Sequence, residues 1–257
     1  DSAVVAALAA RALGPGNVLG VEMPSQYSSA HSLADAEILA HNLGIRFEVK
    51  PIKFLFSATH RELAEARGGQ LAPVAQENLQ SRLRGVVLMT LANHYGALVL
   101  TTGNKSEMGT GFCTLYGDMC GALAPIGDLF KHRVYDLARY LNQVKGKGQP
   151  MIPERSITKP PSPELKANQR DSDVLPPYDA LDTLLEMYVE KRASLAAIRA
   201  FFKESPVPGT RTGWLDEALG RIETSEFKRR QAAPVLKISR KAFGIGRRIP
   251  IAKQWTI

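Results

Sequence analysis

The stretch GNKSEMGTGFCTLYGD, residues 103–118, concentrates side chains that could do chemistry. Its four glycines let backbone N–H groups approach a bound phosphate closely, and its Thr and Ser hydroxyls add neutral donors. Glu107 and Asp118 supply carboxylate oxygens of the kind that Mg²⁺ prefers. The same composition also suits a loop that only turns the chain, so a phosphate-binding loop and a purely structural loop both stay open.

A second candidate group lies on the predicted helix before this stretch. Asn78 and Arg82 are four residues apart and therefore share one helix face. Near a helix start, an arginine beside an amide suits a carboxylate or phosphate ligand. The alternative is a surface ion pair of Arg82 with Glu77 or Glu48, which would contribute about 0–1 kcal/mol. The sequence leaves both interpretations open.

The remaining polar candidates are isolated, and no covalent nucleophile is evident. Lys131, Ser162 and Lys228 are each ordinary by themselves, because exposed lysines are common. The histidines show no metal-ligand spacing, and no Ser-His-Asp or Cys-His arrangement can be argued. Cys113 and Cys120 have six residues between them, which fits neither a CxxC redox pair nor half of a zinc site, so we expect two reduced thiols.

Strand and helix patterns alternate over the first hundred residues. Short β-like runs rich in Val, Ile, Leu and Phe cover 17–24, 46–52 and 97–104. Helical patterns cover 1–13, 32–44 and 72–96. This alternation predicts an α/β fold with a doubly wound, mostly parallel open sheet flanked by helices. Ligands bind such sheets at the carboxyl ends of the strands, here the loops after Met23, Ile52 and Leu100.

The residue composition of the chain changes after about residue 145. An irregular Pro/Gly/Lys-rich loop is predicted at about 145–165, followed by a helical and basic part, 176–257, within the same domain. Residues 228–257 hold nine Lys or Arg and no Asp or Glu, which attracts polyanions such as nucleotides or nucleic acid, although a solvated basic face explains most of them equally well. No apolar run is long enough to span a membrane, and there is no signal-peptide pattern.

Several stretches together resemble one family. DSAVVAALAARALG resembles the end of the SGGxDS pyrophosphate loop of N-type ATP pyrophosphatases. Other stretches resemble the NAD⁺ synthetase family, and within it the synthetase domain of the glutamine-dependent branch. These stretches are residues 24–45, ENLQSRLRG, 101–141, KPPSPEL, DVLPPYDALD and EFKRRQAAP. The resemblance covers nearly the whole chain, residues 1–257. Its specific part is 101–141, because other pyrophosphatase relatives share the first loop without this run.

The resemblance implies a fold and a reaction. The fold is adenine nucleotide alpha hydrolase-like with a helical C-terminal extension. The reaction is a C–N ligation in which ATP activates the carboxylate of deamido-NAD⁺. An NAD-adenylate forms and pyrophosphate leaves. Ammonia then attacks to give NAD⁺ and AMP.

The resemblance also implies roles for individual residues. The ATP contacts would be Asp1, Ser2, Thr102, Lys131 and Ser162. The contacts with deamido-NAD⁺ would be Asn78, Arg82, Glu107 and Lys228. Mg²⁺ would be held by Asp1 and Glu107. Leu115 stands where the ammonia-dependent branch has a lysine, which puts that one contact in doubt.

The family pattern further implies a cytoplasmic homodimer with the dinucleotide near the subunit interface. Ammonia would come from a glutaminase domain upstream of residue 1. Asp1 and Ser2 would be the last two residues of the phosphate loop, so we expect residues 1–257 expressed alone to fold poorly or to turn over slowly.

Two other functions stay open at the level of sequence. One is a different pyrophosphatase-loop ligase that acts on another carboxylate or carbonyl. The other, less favoured, is a nucleic-acid-binding module that uses the basic tail and whose affinity would fall steeply with salt. The block at 101–141 favours the NAD⁺ synthetase interpretation over both.

Overall fold

Strands β1 (Leu19–Glu22) and β2 (Arg46–Val49) pair in parallel, with Leu19 opposite Arg46. The structure is a computed structural model that describes residues 1–65, 68–144, 150–244 and 246–251. Helix α2 (Ala30–Leu43) connects the two strands and completes the predicted parallel βαβ unit. Its start is capped by Ser29, and its end is closed by Gly44 in the left-handed region.

Helices make up most of the rest of the described chain. They are α1 (Ser2–Leu13), α3 (Lys53–Glu65), α4 (Pro73–Tyr95), α5 (Lys105–Thr110), α6 (Lys131–Val144), α7 (Glu154–Thr158), α8 (Tyr178–Leu185), α9 (Leu195–Glu204), α10 (Trp214–Thr224) and α11 (Glu226–Arg229). One π-helical turn, Glu186–Glu190, follows α8 directly. The predicted helices at 1–13, 32–44 and 72–96 and those within 176–231 are confirmed in type. No helix in the described ranges is both long and apolar enough to cross a bilayer.

The segment 97–104 differs from its predicted strand. In the described residues it forms one parallel bridge, between Leu100 and Leu123. Its partner is the short stretch that follows Gly121, and a Cβ at Gly121 would lie 2.5 Å from the Thr101 side chain. The partner is therefore the end of a turn, so the pairing stops after one bridge.

Three helices depart from the sequence-based expectations. Helix α3 was not predicted. Helix α5 lies inside the glycine-rich stretch because Asn104 and Glu107 form a reciprocal capping box: the Asn104 side chain accepts the amides of Ser106 and Glu107, and Glu107 accepts the Asn104 amide. Helix α7 interrupts the predicted irregular loop at 145–165, of which 145–149 lie outside the described residues.

Two apolar clusters support the helices around the sheet edge. The first joins α1, α2, α6 and the segment at 151–157; its fully buried members include Ala7, Ile126 and Ile152. The second joins α5 to α8, α9 and α10; its fully buried members include Leu181, Leu184, Leu185, Ile198 and Ile222. Helix α8 contacts both α5 and α6, so these two helices rest on a rigid apolar base.

A buried charge network ties the start of α5 to distant parts of the chain. The Lys105 side chain is fully enclosed, and its Nζ lies 2.8 Å from Asp128 and 2.6 Å from Glu190. The same Nζ donates to the Ser239 hydroxyl and to the Lys241 carbonyl, both at 2.8 Å. Burying a charge is tolerated only with such complete partnership.

Candidate functional site

A pocket of about 570 Å³ opens at the carboxyl end of β1. Its walls come from the start of α1, the loop after Met23, residues 102–107, the start of α6 and the segment 159–165. The sequence predicted ligand-binding loops after Met23, Ile52 and Leu100. The first and the third line the pocket, whereas the loop directly after Ile52 contributes none of the described lining residues.

Asp1 and Lys131 form the polar centre of this pocket. The Lys131 Nζ lies 2.5 Å from Asp1 Oδ2 and 3.6 Å from Glu107 Oε1. The Asn104 side-chain amide donates to Asp1 Oδ1 at 3.1 Å. Asp1 stands at the N-cap position of α1 but makes no side-chain capping bond, so its carboxylate is directed to the pocket rather than to its own helix.

The surroundings of Glu107 and Lys131 are strongly desolvated. Burial raises the pKa of Glu107, while the neighbouring Lys131 and the Asn104 amide act in the opposite direction. The Lys131 ammonium also lies 5.3 Å from the ring centroid of Tyr178, a cation–π contact. The Tyr178 hydroxyl donates to Asp171, another carboxylate on the pocket wall. A cation thus stands among carboxylates and an aromatic face.

The other predicted ATP contacts also reach this pocket. Ser2, Thr102 and Ser162 are lining residues. Ser162 is held in its loop because its hydroxyl accepts the Glu164 amide at 3.1 Å. The pocket therefore brings together Asp1, Ser2, Thr102, Glu107, Lys131 and Ser162.

Asn78, Arg82 and Lys228 lie outside this pocket and hold the loop after α5 instead. The Thr114 hydroxyl donates to Asn78 Oδ1 at 2.8 Å, and Arg82 Nε donates to the Leu115 carbonyl at 3.2 Å. Lys228 Nζ donates to the Gly111 and Cys113 carbonyls at 2.7 and 2.8 Å. The predicted shared face of Asn78 and Arg82 is confirmed by their common target, the loop at 111–118.

The alternative ion pair of Arg82 with Glu77 or Glu48 is not what the structure contains. Glu77 accepts a hydrogen bond from Gln169, and Glu48 pairs with Lys50 and Tyr95. Arg82 uses its guanidinium on a backbone carbonyl. An arginine that holds a loop by its carbonyl orders that loop without neutralising a charge.

Sequence reasoning missed a second arginine on the same helix. Arg84 lines the pocket and donates from Nε to the Met23 carbonyl at 3.2 Å. Burial lowers its pKa, and the carboxylates of Glu22 and Glu164 act in the opposite direction. Arg82 and Arg84 are two residues apart and point to different helix faces, so composition could not tell which one faces the pocket.

A polar network that was also missed closes the far wall of the pocket. The Lys159 Nζ lies 2.5 Å from Glu164 Oε1 and 2.9 Å from the Ser32 hydroxyl. Ser32 and Ser29 both donate to Glu164, at 2.8 and 3.2 Å. This network ties the KPPSPEL segment to the start of α2. No local sequence signal points to this network, because Ser29 and Ser32 lie more than a hundred residues from Lys159 and Glu164.

Much of the basic tail is engaged within the protein. The Arg229 side chain is 1% exposed and pairs with Glu226 at 2.9 Å, and Arg230 pairs with the same carboxylate. Arg247 pairs with Glu223 at 3.0 Å and lies over the ring of Tyr188. The expected two reduced thiols are free cysteines, and burial raises the pKa of Cys113 to about 12.

The donor set suits a magnesium ion bound together with a phosphate ligand. The described residues contain no cluster of three or more His, Cys, Asp or Glu that would form a cage by itself. Mg²⁺ usually takes only one or two protein carboxylates together with phosphate oxygens and water. Asp1 and Glu107, both next to Lys131, meet that need.

Comparison with known proteins identifies the family. Residues 1–232 match the family model described as NAD synthase. The chain belongs to the NAD synthase family. This NAD synthase chain is 48% identical over 257 residues to a glutamine-dependent NAD(+) synthetase of Synechocystis sp., an alignment that covers 98% of the chain and 43% of the relative.

Solved structures agree with the assignment and with the α/β fold. A glutamine-dependent NAD⁺ synthetase from Acinetobacter baumannii, in complex with ADP, superposes with a TM-score of 0.60 at 37% identity and covers 99% of this chain and 44% of that one. An NMN synthetase from Francisella tularensis gives a TM-score of 0.61 at 25% identity, over 87% of this chain and 78% of that one. The present NAD synthase chain spans less than half the length of the glutamine-dependent relatives.

Proposed function

We propose that this chain catalyses the ATP-dependent amidation of deamido-NAD⁺ to NAD⁺. The observation that carries the proposal is the family match over residues 1–232, whose span includes all the side chains of the Asp1–Lys131–Glu107 centre. The solved Acinetobacter relative holds ADP, which supports an adenine nucleotide as one ligand of this pocket.

The proposed reaction proceeds in two displacements. A carboxylate oxygen of deamido-NAD⁺ forms a bond to the α-phosphorus of ATP, and the bond from that phosphorus to the bridging oxygen breaks to release pyrophosphate. Ammonia then forms the C–N bond at the activated carbonyl carbon, AMP leaves with the oxygen, and one proton is released. No covalent enzyme nucleophile is required, in keeping with the sequence.

The side chains of the pocket would act by binding, orientation and charge. Asp1, Ser2, Thr102, Lys131 and Ser162 would contact ATP. Lys131 would offer a buried positive charge to the departing pyrophosphate. Holding the two reactants in line can contribute roughly 7–11 kcal/mol to the lowering of the barrier. Asp1 and Glu107 would hold Mg²⁺, which supplies a Lewis acid for the phosphate oxygens.

The dinucleotide would lie across the loop at 111–118. Asn78, Arg82, Glu107 and Lys228 are its proposed contacts, and three of these four already fix that loop. The proposal also includes ammonia from glutamine, released by a glutaminase domain, and a homodimer in the cytoplasm. The two free thiols suit that reducing compartment.

The test is an acceptor comparison with the intact protein as its gene encodes it. The protein receives ATP, Mg²⁺ and either ammonium or glutamine, with deamido-NAD⁺, with the corresponding mononucleotide, or with no acceptor, and AMP and the amidated product are measured. We expect AMP release that depends on deamido-NAD⁺ and equals NAD⁺ formed. Preference for the mononucleotide would move the chain to NMN synthesis, and AMP release without either acceptor would point to another pyrophosphatase-loop ligase.

A further inference from the structure

The carboxylate of Asp182 lies behind the pocket rather than in its wall. Asp182 belongs to α8, its side chain is 2% exposed, and it does not line the pocket. Its neighbours on α8, Leu181 and Leu184, are fully buried in the second apolar cluster. A charged group at such a position is costly unless donors surround it.

The donors around Asp182 come from the starts of two other helices. The Ser106 hydroxyl donates to Asp182 Oδ1 in a short hydrogen bond. The His132 amide donates to Oδ2 at 2.9 Å, and the ring Nδ1 of His132 lies 2.8 Å from the same oxygen. The Ser106 oxygen in turn accepts the Lys131 amide at 3.0 Å. The first two amides of α6 have no partner within the helix. The buried Asp182 carboxylate accepts the His132 amide directly, and it holds the Ser106 hydroxyl that accepts the Lys131 amide.

The residues bonded in this way are the sequence neighbours of the pocket residues. Ser106 precedes Glu107, and His132 follows Lys131. Adjacent residues in a helix share a rigid backbone. Hydrogen bonds that hold Ser106 and His132 therefore also hold the backbone of Glu107 and Lys131. The backbone positions from which Glu107 and Lys131 project, with their charged atoms 3.6 Å apart, are therefore held from α8.

We propose that Asp182 is a positioning residue that holds Glu107 and Lys131 in register for the ligation. This inference rests on the function proposed above. Asp182 touches neither substrate. It acts through Ser106 and His132, and α8 is its rigid support.

The test compares kcat with KM in four single variants of the intact protein and in the double variant that combines Asp182→Asn with Ser106→Ala. Asp182→Asn keeps the shape but loses the charge, and Ser106→Ala removes the link to α5. Ser106→Thr keeps the hydroxyl, and Glu223→Gln changes a buried carboxylate whose partners are Tyr188 and Arg247 instead of Ser106 and His132. Assays run well below the melting temperature of every variant.

We expect kcat to fall roughly a hundredfold in Asp182→Asn, the effect typical of a displacement of about 1 Å at a reacting site. The KM values for ATP and deamido-NAD⁺ should stay close to those of the wild type. Ser106→Ala should share part of the loss, the double variant should be no worse than Asp182→Asn alone, and Ser106→Thr should recover turnover. Glu223→Gln should keep the wild-type kcat.

A second readout does not depend on the reaction. Without substrate, hydrogen exchange at the amides of Lys131 and His132 should speed up in Asp182→Asn and Ser106→Ala but not in Glu223→Gln. If the wild type gives no AMP with deamido-NAD⁺, the proposed function fails, while the exchange data still test whether Asp182 holds the start of α6. The inference would be overturned by an unchanged kcat in folded Asp182→Asn, by a rise in KM alone, or by unchanged hydrogen exchange. If Asp182→Asn does not fold, the same measurements on Ser106→Ala decide whether the inference holds.

Discussion

Lys131 is the residue on which the polar centre of the pocket depends. Its ammonium is 2.5 Å from Asp1 and 3.6 Å from Glu107, so one cation pairs with two carboxylates in a desolvated place. A phosphate or a metal ion that enters must rearrange these charges. In the proposed function, the centre would therefore exchange an internal ion pair for contacts with a charged ligand.

Glu107→Gln tests the carboxylate at this centre. The amide keeps the size of the side chain and an oxygen for the Asn104 amide but leaves Lys131 with one carboxylate fewer. We expect turnover at least about tenfold lower, as for removal of a group that binds charge in the reacting complex. Steady-state kinetics measures this, with Glu62→Gln on the surface as control. A near-normal rate would exclude the proposed role.

Lys228→Ala tests the loop contact. Its ammonium donates to the Gly111 and Cys113 carbonyls, and a hydrogen bond from a charged group contributes about 1.5–3 kcal/mol. We expect the KM for deamido-NAD⁺ to rise roughly tenfold or more, while the KM for ATP changes little. The matched control is Lys237→Ala, an exposed lysine. An unaltered KM for deamido-NAD⁺ would count against Lys228 as a dinucleotide contact.

At the scale of elements, the fold holds its short helices by buried charges. Helix α5 has six residues and is too short to persist by itself. It begins with the Asn104–Glu107 capping box. Ser106 bonds it to Asp182 on α8, and the Lys105 network bonds it to Asp128. The capping box is local, whereas the other two contacts join α5 to distant parts of the chain.

Asp128→Asn tests the Lys105 network through pH. Burial raises the pKa of Asp128, but hydrogen bonds from Lys105 and from Ser239 and Ile238 more than offset this, so its pKa is lowered overall. A carboxyl with a lowered folded-state pKa stabilises the protein above its unfolded pKa, and that stabilisation is lost as pH falls through the folded value.

We expect Asp128→Asn to cost about 3–5 kcal/mol of unfolding free energy at neutral pH, because Lys105 loses a buried partner. The gap between wild type and variant should narrow as the buffer is acidified. Urea unfolding over a pH series measures both effects. Asp136→Asn, in an exposed pair with Arg133, is the control and should change little. A difference in unfolding free energy that is constant with pH would contradict a lowered pKa of Asp128 in the folded protein.

At the scale of the whole molecule, part of one face of α4 is exposed beyond the residues that hold the loop at 111–118. Asn78, Arg82, Val86 and Met89 follow one another at helical spacing, and the last two are 60% and 43% exposed. Exposed apolar side chains next to a ligand-binding group are typical of an interface. This face supports the proposed homodimer with the dinucleotide near the contact.

Val86→Asp should separate such a dimer. A charge at the centre of an isologous contact meets its own copy across the two-fold axis, which is repulsive as well as costly to desolvate. Light scattering after gel filtration should show the molar mass of the wild-type dimer falling to that of one subunit. Leu13→Asp, at an exposed apolar position on α1, should leave the mass unchanged. A variant that stays dimeric would place the interface elsewhere.

The sequence predicted local structure better than long-range contacts. Helical patterns of apolar residues located α1, α2 and α4, and the family resemblance listed the six predicted side chains that line the pocket. The strand at 97–104 failed because its partner is only the end of a turn at Gly121. Lys105, Asp182 and Arg84 could not be selected from local patterns, because burial and partners come from residues far away in the chain.

The same distances determine when the pocket forms during folding. The bond from Lys131 to Asp1 closes a separation of 130 residues, and the bond from Lys105 to Ser239 closes one of 134. Contacts between such remote residues form late, because the entropy of closing long loops is lost before the contacts stabilise the fold. Lys105 lacks two of its acceptors until residues 239–241 have been synthesised. We therefore expect a nascent chain to complete this pocket near the end of folding, so that binding of the proposed nucleotide would report completed folding rather than assist its early steps.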